Sequence, residues 1–94
     1  MIIIAGRLHV APADRDRYLA EVANVARLAR EAPGCSDFVQ AADALDDTRI
    51  NVYERWESDD DLHRFRAAGG PALDLPPLQD ANVRKYRISS DEEP

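Results

Sequence analysis

The sequence contains little that would support disulfide, metal or membrane chemistry. Its one cysteine, Cys35, cannot form an internal disulfide and has no Cys or His neighbour at metal-ligand spacing. The longest apolar run near the start, MIIIA, is far shorter than the ~20 residues of a membrane span, and no basic flank precedes it. We therefore expect no membrane segment, no signal peptide and a cytoplasmic location.

Basic side chains are also too few and too dispersed for nucleic-acid binding. The 94 residues include 12 Lys and Arg against 18 Asp and Glu, which gives a net charge of -6 at pH 7. The Arg residues are spread over all segments instead of forming one basic stripe. No Gly-rich phosphate loop is present either. We therefore expect neither a nucleic-acid partner nor a bound cofactor.

The hydrophobic pattern predicts one small domain of four strands and two helices. A composition of 45% apolar and 32% charged residues suits a single core. Apolar residues alternate in GRLHV and in INVYERW, and they recur at helical spacing in YLAEVANVARLA. The predicted strands are 2–10, 35–44, 48–57 and 81–88, and the predicted helices are 14–32 and 59–68. We expect the domain to span 1–88 and the charged tail 89–94 to be disordered.

Helix boundaries are marked by capping residues and helix breakers. Asp14 is a predicted cap of the first helix, which Pro33 and Gly34 end. Ser58 followed by Asp61 forms a capping box for the second helix, which GGP at 69–71 ends. The Pro-rich stretch that follows supports at most a short helical turn.

The element order β-α-β-β-α-β predicts a ferredoxin-like α+β fold with both helices on one face of an antiparallel sheet. Apolar residues nevertheless occupy both faces, because the run 2–5 is continuously apolar and Tyr53 lies opposite Val52 and Trp56. The second face needs a cover that this chain does not supply. We expect a two-fold homodimer that packs sheet on sheet around a barrel-like cavity, with a ligand pocket between sheet and helices.

Two segments carry a family resemblance. EAPGCSDF at 31–38 and NVYERWESDDDL at 51–62 resemble the paired signature of the antibiotic biosynthesis monooxygenase (ABM) family, whose members are dimeric α+β barrels. The resemblance covers about residues 2–88. It implies a cofactor-independent monooxygenase that acts on a small aromatic or polycyclic phenol or quinol. Such chemistry requires a dry cavity, a proton acceptor and hydrogen bonds to the developing oxyanion.

The resemblance also assigns candidate site residues. Trp56 matches the pocket Trp of the family, and its indole N–H is a possible donor to a substrate oxygen, although packing beneath the second helix also explains it. Glu54 shares its strand face and is either a proton acceptor or the partner of an Arg. His63 is the other candidate acceptor. Arg84 and Tyr86 share a face of the last strand and are candidate partners of a phenolate.

Departures from the family pattern leave the activity open. Val52 stands where quinone-forming members have Asn, and Phe65 stands where many members have a helix His; both are candidate pocket residues. His63 lies two residues earlier, about 200 degrees around a helix. Gly6 stands where haem-degrading relatives have Asn, which disfavours haem degradation. The alternatives are a non-catalytic binding or accessory dimer, and cyclase or isomerase chemistry without O₂.

Overall fold

The computed structural model, which describes residues 1–70 and 72–94, contains every predicted strand and helix. All predicted boundaries fall within two residues of the observed ones; Pro71, part of the predicted helix stop, lies outside the described residues. The elements are β1 (Ile2–His9), a 3₁₀ turn (Pro12–Asp14), α1 (Arg15–Glu31), β2 (Cys35–Ala42), β3 (Arg49–Trp56), α2 (Asp59–Ala67) and β4 (Asp80–Arg87). No helix within 1–70 and 72–94 is long and apolar enough to span a membrane.

The four strands form one antiparallel sheet in the order β2-β3-β1-β4. This is the predicted ferredoxin-like arrangement. One row across the sheet consists of Phe38 on β2, Glu54 on β3, Ile4 on β1 and Lys85 on β4. Because side chains alternate between faces, this register fixes which residues share a face with Glu54.

Both helices pack on the face that carries Glu54, over two apolar clusters. The first cluster is buried beneath α2 and the C-terminal end of α1. It comprises Ile2, Ile4, Ala29, Phe38, Trp56 and Leu62. The second lies beneath the first half of α1 and comprises Leu8, Val10, Tyr18, Val22, Ile50 and Val52. The chain measures 38 × 33 × 18 Å, so its thickness is that of one sheet and one helix layer. Within residues 1–70 and 72–94, neither helix packs on the opposite face of the sheet.

Helix α2 starts as its sequence predicts. The Ser58 hydroxyl oxygen accepts the backbone N–H of Asp61 at 3.1 Å, which satisfies one of the free amides of the first turn. Asp59 accepts hydrogen bonds from Lys85 at 2.7 Å and Arg87 at 2.5 Å, and these bonds hold its pKa well below the usual range. The acidic run therefore also attaches α2 to the edge strand β4.

The start of α1 differs from the prediction. Asp14 occupies the cap position, but within the described chain its side chain makes no capping hydrogen bond. Its backbone is already helical, because the preceding 3₁₀ turn runs directly into α1. Arg15 anchors this end instead, since its guanidinium donates to the Asp46 carbonyl at 2.8 Å in the β2–β3 hairpin.

The segments around β4 contain no further regular element. Residues 72–78 form neither helix nor strand, so the short helical turn allowed for them is absent there. The Gln79 N–H donates to the His9 carbonyl at 2.8 Å, which leads the chain into β4. Residues 88–94 also lack regular structure, and the domain boundary at residue 88 with a disordered tail beyond it stays a prediction.

Candidate functional site

The strict alternation of β3 places Glu54 and Trp56 beneath the helices. Trp56 is fully buried, and Glu54 is only 8% exposed. Glu54 is the one charged residue among the buried side chains of the described chain. A carboxylate in an apolar layer requires a partner or a function.

The partner of Glu54 is the indole of Trp56. The Trp56 Nε1–H donates to Glu54 Oε1 at 3.0 Å, between two residues that project from the same face of one strand. The indole N–H, which was a possible donor to substrate, is therefore already engaged. Trp56 instead orients the carboxylate, and the aromatic ring packs beneath α2 as the structural interpretation of this residue predicts.

Burial dominates the electrostatics of Glu54. Desolvation raises the pKa of the Glu54 carboxyl, while the hydrogen bond from Trp56 and the charge of Arg66 act in the opposite direction and do not cancel the rise. A carboxylate with a raised pKa is a stronger base than an exposed glutamate. The same negative charge, after burial itself, contributes to a raised pKa of the Cys35 thiol.

The Phe65 ring separates the Glu54–Trp56 pair from a hollow between α2 and the turn that follows α1. The Phe65 ring centroid lies 5.4 Å from that of Trp56 and 6.5 Å from that of Phe38. Phe65 is also a wall of the hollow, which encloses about 210 Å³. The other lining residues are Ala32, Pro33, Asp61, Arg64 and Ala68. Only the Phe65 side chain belongs both to this hollow and to the aromatic cluster over Trp56.

The two candidate site residues of α2, His63 and Phe65, lie on different sides of the helix, as a spacing of two residues requires. Phe65 is half-buried against the core cluster, whereas His63 is exposed. The structure therefore brings Phe65, but not His63, to the Glu54–Trp56 pair.

The remaining predicted site residues lie elsewhere. Val52 is buried on the face of Glu54, but it belongs to the second core cluster and packs beneath α1. Arg84 pairs with Ala5, whereas Glu54 pairs with Ile4, so the side chain of Arg84 projects from the opposite face of the sheet. Tyr86 lies on the same open face and is 52% exposed. Within one chain, Arg84 and Tyr86 therefore cannot contact a ligand held next to Glu54. The prediction that Arg84 or Tyr86 binds a phenolate in the same pocket as Glu54 is corrected accordingly.

Two neighbours of Glu54 were not anticipated. Phe38 sits directly beside it on β2, and the charge of Arg66 reaches it from α2. The apolar character of Phe38 was visible in the sequence, but its register with Glu54 was not. Arg66 lies one turn after Leu62, the buried residue of α2, and that spacing was the available signal.

Gly6 stands at the position where the haem-degrading pattern has Asn. Its φ is +154°, and a Cβ added there would lie 2.0 Å from the Asn82 carbonyl oxygen on β4. The position that holds Asn in the haem-degrading pattern thus has no room for a side chain here. Within 1–70 and 72–94, no group of three or more His, Cys, Asp or Glu could hold a metal ion.

Comparison with known proteins identifies the family of this chain. Residues 1–70 match the family model described as antibiotic biosynthesis monooxygenase. The chain belongs to the ABM family. No protein of curated function matches it.

Solved structures agree with this family fold. A candidate antibiotic biosynthesis monooxygenase from Deinococcus radiodurans is 16% identical over 99% of this chain and 97% of its own, with a TM-score of 0.79. A candidate member from Nitrosomonas europaea is 15% identical over 96% of this chain and 100% of its own, with a TM-score of 0.77. The haem degrader MhuD from Mycobacterium tuberculosis is 17% identical over 99% of this chain and 100% of its own, with a TM-score of 0.69. At these identities the likeness establishes the ABM fold.

Proposed function

We propose that this protein is a cofactor-independent monooxygenase that oxidises a small phenol or hydroquinone in the hollow beside Phe65, with Glu54 as the proton acceptor. The observation that carries the proposal is the buried Glu54 carboxylate, oriented by Trp56 and given a raised pKa by burial, within an ABM fold. His63 has no part in this proposal because it is exposed on α2.

The reaction needs only groups that the site and O₂ supply. The Phe65 ring lies between the hollow and the Glu54–Trp56 pair, so this ring must turn aside before a phenol in the hollow reaches Glu54. Glu54 then accepts the phenol proton, and the phenolate passes one electron to O₂ to give a phenoxyl radical and superoxide. These combine at a ring carbon, and the resulting peroxide anion takes the proton back from Glu54. The hydroperoxide loses water together with the hydrogen of that carbon and leaves a quinone carbonyl, so phenol and O₂ give quinone and water. A desolvated site favours the base and protects the radical pair.

The size of the hollow favours the smaller substrates. An apolar protein cavity of about 150 Å³ binds benzene, and the hollow beside Phe65 encloses about 210 Å³. A single aromatic ring therefore fits the volume of the hollow and reaches Glu54 once Phe65 turns aside, whereas a polycyclic phenol needs a larger space. We accordingly propose monocyclic phenols and hydroquinones as the first substrates.

An oxygen-dependence assay tests this function. The protein is incubated with monocyclic phenols, hydroquinones and anthrones in air and under argon, and quinone formation and O₂ uptake are measured. We expect turnover in air with one O₂ consumed per quinone, and none under argon. Loss of substrate under argon without quinone formation would show cyclase or isomerase chemistry, and tight binding without turnover would show an accessory role; either result overturns the oxygenase.

We also propose that two copies associate through the uncovered face of the sheet. This face carries Ile3, Ala5 and Tyr53 on the two central strands, next to Tyr86 on β4. Apolar and aromatic side chains on an uncovered sheet face indicate an interface. A dimer of this kind would enclose Arg84 and Tyr86 between the sheets, which gives them a binding role in the shared cavity and not beside Glu54.

The dimer is tested by a charge in the centre of this face. Tyr53→Lys puts an ammonium group on the central strand β3 in the same row as Arg84, and enclosing this additional unpaired positive charge between two copies is unfavourable. We expect light scattering after size exclusion to give twice the 10.5 kDa chain mass for the unmodified protein and one chain mass for the variant at micromolar concentration. Leu45→Lys is the control, because Leu45 is 97% exposed in the β2–β3 hairpin. A monomeric unmodified protein at this concentration would contradict the proposal.

A further inference from the structure

A second cavity lies between α1 and the edge strand β2. It encloses about 440 Å³, a volume typical of small-molecule sites, and it shares no lining residue with the hollow beside Phe65. Leu19, Val22, Ala23 and Ala26 form its apolar wall on α1. We call this cavity the α1–β2 groove. The two small alanines leave the space that a larger side chain would fill.

The edge of β2 next to this groove is partly protected. The Phe38 N–H donates to Asp37 Oδ1 at 2.9 Å, and its carbonyl accepts the Arg30 Nε–H at 2.9 Å. Both outward backbone groups of Phe38 are thus occupied by side chains, which prevents another strand from pairing there. The groove is therefore better suited to a small molecule than to an added strand.

Gln40 supplies an unmatched acceptor at the groove. Its side chain lines the cavity, and its Oε1 atom is buried with no hydrogen-bond partner among the described residues. A buried acceptor without a hydrogen-bond partner is destabilising. A hydroxyl or amino group of a ligand in the groove would satisfy this atom once the Gln40 side chain turns toward the groove.

Two arginines of α1 stand at the rim of the groove. Arg27 and Arg30 stand one turn apart on α1 and both line the groove, together with the single carboxylate of Glu31. Arg30 is held in place by its bond to the Phe38 carbonyl, and Arg27 donates to Asn24. Arg30 also lies 3.7 Å from the Asp37 carboxylate on β2, whereas Arg27 makes no ion pair among the described residues. Arg27 is therefore the guanidinium that favours an anion, and a carboxylate matches the guanidinium fork.

We propose that the α1–β2 groove binds a small amphipathic carboxylate that also carries a hydroxyl or amino group. Its carboxylate pairs with Arg27, its apolar body lies on Ala23 and Ala26, and its donor bonds Gln40 Oε1. The three contacts lie along one side of α1 and one edge of β2. The site is separate from the proposed oxygenase site and does not depend on that function.

Binding of an aliphatic probe tests this site without involving phenol chemistry. ω-Hydroxyoctanoate is titrated into ¹⁵N-labelled protein, and affinity is obtained from amide shifts and by calorimetry. We expect the Gln40 side-chain amide to shift, and we expect octanoate and the corresponding diol to bind at least tenfold more weakly, since each lacks one polar end. Equal binding of the three compounds, or shifts confined to residues outside the groove, would overturn the proposal.

Matched variants separate the groove from general charge effects. Arg27→Gln should weaken binding of ω-hydroxyoctanoate about tenfold or more, because it removes a charged donor at the rim. Arg17→Gln removes the same charge from an exposed position of α1 outside the groove and should leave the affinity unchanged. Ala23→Leu should abolish binding by filling the groove from an exposed position. Equal losses in the two arginine variants, or full affinity in Ala23→Leu, would contradict the site.

Discussion

Replacing Trp56 by alanine should lower the free energy of unfolding by about 3–5 kcal/mol, the range for removal of a large buried aromatic side chain. Trp56 is fully buried in the first core cluster and stacks on Phe65 at 5.4 Å. Its removal leaves a cavity beneath α2 and deprives the Glu54 carboxylate of its donor. Urea unfolding followed by circular dichroism measures the change.

A second substitution at Trp56 separates packing from hydrogen bonding. Trp56→Phe keeps an aromatic ring against Phe65 but removes the Nε1–H that Glu54 accepts. We expect a loss of about 1–3 kcal/mol, the effect of leaving a buried acceptor unsatisfied together with the smaller volume. A loss in Trp56→Phe as large as that in Trp56→Ala would show that the hydrogen bond, and not the ring, determines the stability of this region. A loss below about 1 kcal/mol in Trp56→Ala would contradict the central packing role of Trp56.

The fold could be predicted from the sequence because its determinants are local. The alternation in INVYERW alone places Glu54 and Trp56 on one face, and Ser58 with Asp61 marks the start of α2 by short-range capping chemistry. The position of His63 relative to Phe65 also followed from helical geometry. Each of these inferences concerns residues at most a few positions apart, where backbone geometry fixes the relation.

The composition of the site could not be predicted, because it depends on pairing between distant strands. Arg84 and Tyr86 share a face of β4, and the position of that face relative to Glu54 is set by the β1–β4 register. One step in that register exchanges the two faces. The bond between Trp56 and Glu54 depends on side-chain rotamers beneath α2, which no spacing rule gives. The hydrogen bond from Arg30 to the Phe38 carbonyl on the edge strand β2 could not be predicted either, because it joins residues on the two sides of the turn that follows α1.

The replacement of two residues of the oxygenase pattern leaves Glu54 as the proton acceptor of the proposed reaction. Val52 and Phe65 replace the Asn and His of the oxygenase pattern, and both are apolar contacts here. If the site deprotonates a phenol, Glu54 is the titratable group of the site that is both buried and one aromatic layer from the hollow. The oxygenase proposal therefore depends on this one carboxylate.

Glu54→Gln should reduce kcat about 10²- to 10⁴-fold on any phenol that the unmodified protein oxidises, the usual contribution of a general base. The glutamine oxygen can still accept the Trp56 N–H, so the fold should be retained. The unmodified enzyme should gain activity as the pH rises through the raised pKa of Glu54, and the variant should lack this dependence. Glu57→Gln, an exposed change three residues away, is the control and should keep both the rate and the pH profile. Unchanged kcat in Glu54→Gln would remove Glu54 from the mechanism.

The same variant gives a pH test of stability that requires no substrate. Burial raises the folded-state pKa of Glu54 above its unfolded value of about 4.3, so the folded state favours the protonated form. The stabilisation linked to this proton is complete below about pH 4.3 and is lost as the pH rises through the folded-state pKa. The glutamine of the variant has no proton to lose, and the other carboxylates, including Asp43 with its pKa lowered to about 2, are common to both proteins and cancel in the difference. The free energy of unfolding of the unmodified protein minus that of Glu54→Gln should therefore fall as the pH rises above the unfolded-state pKa of about 4.3, because burial raises the pKa of this carboxyl group in the folded state.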